Sequence, residues 1–171
     1  MLAGLLLTAS LPLHAALPGD RDTSFELPLT WPKAITIQAA LRTPTGQILA
    51  VWQAGEKTQL VRLQSNGQLD PDFQPAELPS LLPGRLALQS DGRILCGSAT
   101  NPGDSLVIRV LRFESNGVPD AGFKFEHSAR SLDSITPLSD GSILLGSKFG
   151  PSSDLSPALY LHRLSTSGAI D

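Results

Sequence analysis

The chain has a single cysteine, which excludes an intrachain disulfide and a metal site of the usual multi-cysteine kind. Charge is also sparse. With 13 Lys plus Arg against 16 Asp plus Glu and a formal charge of -3, there is no basic stripe to track a phosphate backbone, so nucleic acid is excluded as an expected partner. The three histidines form neither HxH nor HExxH, and no G-x-S-x-G elbow, phosphate loop, dinucleotide fingerprint or DxDxDG calcium loop occurs. The sequence therefore predicts no cofactor, no metal and no catalytic residue. No apolar run is long enough to cross a bilayer, so no transmembrane span is expected.

What is present is punctuation. The 171 residues suffice for one domain with a real core, and 15 glycines and 14 prolines divide the chain into short apolar runs joined by turns. Cys96 lies in one such run, "ILCGS", and reads as a small buried hydrophobe. The first residues differ in kind. An apolar stretch from Leu2 to Leu13 followed by "HAA" has the length and small-residue ending of an export signal, cleaved after Ala15 or Ala16. Residues 1–16 are thus expected to be removed, and a bacterial chain to be secreted, periplasmic or displayed at the cell surface.

Two phrases recur. "RTPTGQILAVW" at 42–52, "LQSDGRILCGS" at 88–98 and "PLSDGSILLGS" at 137–147 share a glycine corner at Gly46, Gly92 and Gly141. "LVRLQSNGQLDPDF" at 60–73, "VLRFESNGVPDAGF" at 110–123 and "LHRLSTSGAID" at 161–171 share a second corner at Gly67, Gly117 and Gly168. The period is about 50 residues. Each corner stands between apolar runs too short for a helix, and glycine supplies the positive backbone φ of a tight hairpin without a Cβ penalty. In the first copy "PTG" replaces "SDG", so an irregular hairpin is expected there.

Units of this length, made of short strands without helical patterns, point to an all-β propeller-type repeat with about three blade-like antiparallel sheets. The units are read as 26–73, 74–123 and 124–171, with 17–25 as the end of a preceding one, since "DTSF" at 22–25 matches "DPDF" and "DAGF". Strands are expected near 35–41, 84–89 and 131–137, after each first corner, before each second corner, and in a short edge segment ending at Phe73 or Phe123. The phrases resemble the delta-60 repeat of bacteria, a propeller-type module of exported and surface proteins. That resemblance covers about residues 19–171, implies fold and compartment, and brings no catalytic residue with it.

Three and a fraction blades do not close a ring, which propellers usually build from four to eight. The sequence is read as an open arc, either a fragment of a larger propeller or a chain whose copies join end to end, Thr23-Ser24-Phe25 of a neighbour completing the phrase at Asp171. The matched Arg62, Arg112 and Arg163 and the matched Asp70, Asp120 and Asp171 flank their corners at fixed distance, which predicts guanidinium–carboxylate pairs within a hairpin. Asp91 is the alternative partner for Arg112, while Asp91 and Asp140 are read as turn caps. Trp31 is the one candidate binding residue, as a stacking platform for a sugar. The function expected is a non-catalytic exported module that binds protein or glycan or serves as a surface scaffold; the alternative is a fragment or subunit of a propeller hydrolase or lyase.

Overall fold

A computed structural model describes residues 24–25, 35–79, 82–100, 107–129, 131–149 and 158–171. The expected signal at 1–16, Trp31 and most of the 17–25 segment lie outside these residues. Eleven strands form three antiparallel sheets. The first holds β1 (Thr36–Arg42), β2 (Ile48–Ala54), β3 (Lys57–Leu63) and β4 (Ala76–Leu78), in that order. The second holds β5 (Leu82–Leu88), β6 (Ile94–Thr100), β7 (Val107–Phe113) and β8 (Phe125–Ser128); the third holds β9 (Ser131–Pro137), β10 (Ile143–Phe149) and β11 (Ala158–Leu164). The first strands of successive sheets pack together, β1 on β5 and β5 on β9, so the sheets radiate from a common inner edge as propeller blades do, in an arc that does not close.

The corner glycines carry the hairpins. Gly46, Gly92 and Gly141 have φ of 90, 86 and 81°, and no non-glycine residue among those described has positive φ. In each first corner the glycine amide returns to a carbonyl at the end of the inner strand: Thr43, Gln89 or Leu138. Asp91 and Asp140 each accept the backbone amide two residues on, at 3.0 and 2.9 Å, and so cap their turns. The first copy corrects one expectation. Its "PTG" hairpin closes with the same bonds, Thr43 N–H to Gln47 at 2.8 Å and Gly46 N–H to Thr43 at 3.0 Å, because the glycine supplies the needed φ and the aspartate only caps. Irregularity sits elsewhere, in a bulge of each inner strand at Gln38, Gly84 and Asp133.

The edge strand also departs from expectation. Phe73 and Phe123 end no strand; each lies in a turn, its amide donating to Asp70 or Asp120 at 3.2 Å, and β4 and β8 follow them. The turn forms because the aspartate carboxylate caps it, accepting the amide of Asp72 at 3.0 Å or of Gly122 at 2.8 Å.

Apolar layers hold the blades together. Leu49, Val51 and Leu60 of the first sheet pack with Ile94, Cys96 and Phe113 of the second, while Leu95, Ile108 and Val110 of the second pack with Ile143, Leu145 and Leu164 of the third. Consecutive residues Ile94, Leu95 and Cys96 thus feed two different cores, which is why that run shows no polar alternation. Gly97 faces β9, and a Cβ there would run into the side chains of Leu132 and Ile135. Burial pushes the Cys96 thiol up to about 12. It should therefore resist a water-soluble disulfide reagent at neutral pH until the protein is unfolded, and stoichiometric labelling of the native protein would show that this core is open.

Candidate functional site

The recurring charges form joints between blades. Arg62 Nε lies 2.8 Å from Asp70 Oδ2, its Nη1 donates to the Ser115 carbonyl of the next sheet at 2.6 Å, and its guanidinium stands 4.9 Å above the Phe73 ring. One blade on, the pattern repeats: Arg112 Nε to Asp120 Oδ2 at 2.7 Å, Nη1 to the Thr166 carbonyl at 2.6 Å, and the guanidinium 4.5 Å over Phe123. The planar fork allows this, two donors meeting two acceptors while the face covers a ring. Gly117 fits under the joint, against Phe73 and the Gln74 carbonyl, and the Gln74 amide donates to Asn116 at 2.7 Å. Gly168 meets Phe123 and Lys124 in the same way.

The carboxylates respond. The Arg112 hydrogen bond holds Asp120 below the ordinary carboxylate value, outweighing the opposing effect of burial. At Asp70 burial works upward, but the Asp72 amide, Arg62 and Gln47 together bring the carboxyl down. The third copy is different. Arg163 reaches Asp140 Oδ2 with Nη2 at 2.7 Å, while its Nε stands 3.6 Å from Asp171, so this copy leans on the corner aspartate. Asp91, the counterpart of Asp140, pairs at 3.6 Å with Arg93, leaving Arg112 to Asp120.

A cavity of about 570 Å³ opens between the first and second sheets at the end of the first corners. Leu49, Leu88 and Ile94 line it with apolar surface, Thr43, Thr45, Gln47 and Gln89 with hydroxyls and amides, and Pro137 to Ser139 reach it from the third sheet. Gln89 is only 5% exposed, and its buried Oε1 has no hydrogen-bond partner, while Nε2 faces the Gly141 carbonyl at 3.4 Å. Leaving a buried amide oxygen unpaired costs about 1–3 kcal/mol. Gln89 was hidden within a phrase whose corner drew attention; the signal was its polarity at a strand end where the third copy has Leu138.

No aromatic residue lines the cavity among the described residues. Trp52 is buried and donates from Nε1 to Gln59 at 3.2 Å, so it packs within its sheet. His127 and His162, separate in the sequence, meet between the second and third sheets with ring centroids 5.4 Å apart. Burial, then the neighbouring His127, lowers the His162 pKa. Among the described residues no group of three or more His, Cys, Asp or Glu could hold a metal, and no helix is long and apolar enough to cross a membrane.

No curated protein and no solved structure matches the chain. A family model described as "Domain of unknown function (DUF5122) beta-propeller" matches residues 89–123, from Gln89 through the second sheet's joint to Phe123. Over this unit the chain is similar to a β-propeller repeat domain, and the sheets on either side carry the same corners.

Proposed function

We propose that this chain is a non-catalytic, exported β-propeller-type module of delta-60 character, secreted, periplasmic or at the cell surface, that binds a segment of another protein at the corner end of its blades. The observation that carries this reading is the cavity of mixed lining at the corners, where the hydroxyls and amides of Thr43, Thr45, Gln47 and Gln89 would pair with the main chain of a bound segment and an apolar side chain would pack on Leu88. Peptide is favoured over glycan because the described lining offers hydroxyls and amides but no aromatic face. A scaffold role follows from the joints, whose arginines and aspartates are engaged in holding blades together.

The test is isotope-labelled protein titrated with a library of short uncharged peptides and, separately, neutral oligosaccharides, following the Gln89 side-chain amide by NMR. Peptides should shift that signal, and Gln89→Ala and Thr45→Ala should each weaken binding by roughly 3- to 10-fold, the size of one neutral hydrogen bond. Graded losses from several positions identify a binder. Turnover of an ester or glycoside, abolished by one of these changes, would instead establish the hydrolase alternative.

A further inference from the structure

The two gaps between sheets follow one plan with a single pair of residues exchanged. In the first gap Leu78 of β4 and Leu111 of β7 belong to one apolar cluster. The ladder places His127 where Leu78 stands, opposite Ile108 as Leu78 is opposite Thr58, and His162 precedes its joint arginine as Leu111 does. Two imidazoles thus replace two leucines in the second gap. His127 of β8 and His162 of β11 are both half-buried, and their ring centroids lie 5.4 Å apart, edge to face. Phe125 stands 6.3 Å behind the first ring and Tyr160 is stacked 6.2 Å from the second, so a row of four rings ties the outer strands of the two sheets.

Among the described residues the charged groups on the surrounding strands are engaged with one another. Strand alternation puts Arg109 and Glu126 on the opposite face of the second sheet, where they bind each other at 2.9 Å with Lys124 nearby, and Arg163 on the far face of β11, where it reaches Asp140. Lys148 of β10 pairs with Asp133 of β9, and Arg85 of β5 donates to the Asp133 carbonyl. Arg112 of β7 holds Asp120 at the corner end of the same gap. Directly across from the two histidines the ladders place Ile108 and Leu145, both buried and uncharged.

We propose that His127 and His162 form an acid-sensitive latch between the second and third sheets, holding the outer strands together while both rings are neutral and driving them apart when both carry a proton. Two imidazolium ions would then face each other where the first gap has only hydrocarbon. The direction follows from linkage: burial, and then the neighbouring His127, lowers the His162 pKa, so the folded chain binds fewer protons there than the unfolded one. The latch is at full strength above the ordinary histidine value of about 6.5 and weakens as pH falls through the lower folded value. Asp70 and Asp120 are held below their ordinary value, so the joints at the corner end keep their charge across this window.

Amide hydrogen exchange of the full chain at about pH 7.5 and about pH 5, corrected for the intrinsic pH dependence of exchange, tests this. Protection of β8 and β11 should fall at least roughly 10-fold in acid, because like charges 5.4 Å apart in a half-buried gap repel, while β1 to β4 change by less than about 2-fold. The double variant His127→Leu with His162→Leu, which copies the leucines of the first gap, should keep its protection. Equal protection of β8 and β11 in the wild type at both pH values overturns the inference, as does a double variant that loosens as the wild type does. His162→Gln alone gives a second reading that keeps a polar side chain at the site. It should remove most of the acid-induced loss, and an undiminished loss overturns the inference as well.

Discussion

Gly117→Ala should lower the melting temperature by roughly 10 °C, whereas Gly92→Ala should lower it by less than half as much. Both glycines have positive φ, 93 and 86°, so both substitutions incur the conformational cost of an L side chain there, about 1–2 kcal/mol. Their surroundings differ. A Cβ at Gly92 would meet only Ser115 Cβ at 3.4 Å, an approach that a small shift relieves. At Gly117 it would enter the Gln74 carbonyl oxygen and come within 2.8 Å of Phe73 Cζ, and the carbonyl is backbone that cannot turn aside. Relief would separate the second sheet from the first and stretch the 2.7 Å bond from the Gln74 amide to Asn116. A total near 3 kcal/mol follows for Gly117→Ala. Thermal unfolding of the two variants side by side checks it, and equal shifts would show that φ alone matters and that the blades are not joined there.

Arg112→Leu has the second large effect, about 2–3 kcal/mol, because it leaves the Asp120 carboxylate and the Thr166 carbonyl without their donor and strips the cover from Phe123. Arg112→Lys should fall between, as an ammonium can serve one acceptor but not the planar fork. The loss depends on pH in a definite direction. Asp120 is held below its ordinary value in the folded protein, so the pair's contribution is fully present above the unfolded carboxylate pKa of about 3.9 and fades as pH falls through the lower folded value. Denaturant midpoints of wild type and Arg112→Leu should accordingly differ most at neutral pH and draw closer in acid, leaving only the part carried by the Thr166 carbonyl and Phe123. A constant gap down to strongly acidic pH would mean that packing on Phe123, and not the ion pair, carries the effect.

That Arg112 pairs with a carboxylate was legible, because Asp120 belongs to its own hairpin, but the choice between Asp120 and Asp91 was not, and the structure makes it: Asp120 at 2.7 Å. The Thr166 carbonyl was not legible, since it arrives from the next blade, and no local spacing says which turn of one sheet overlies which turn of another. The same distinction explains the cavity. Its lining residues were visible as corner positions, but the buried oxygen of Gln89 becomes a feature only when three corners from three sheets gather around it. The inner-strand bulges left no common mark either: Gln38, Gly84 and Asp133 share no chemistry, so the signal is the backbone twist each blade needs near the axis. The irregular first hairpin was misjudged because "PTG" lacks an aspartate that the turn does not require. Trp31 and the export signal expected at residues 1–16 lie outside the described residues, and their reading rests on the sequence.

Gly97 has a bearing on the arc as a whole. Its counterpart in the first sheet is Val51, a buried side chain in the core shared with the second sheet, while the bare backbone at Gly97 lets β9 pack onto β6 as well as β5. One isopropyl group therefore acts as a spacer in one gap and is missing from the next. At this one position the spacing of neighbouring blades is a matter of side-chain volume: a valine fills the first gap, and a bare backbone lets the third sheet close onto the second.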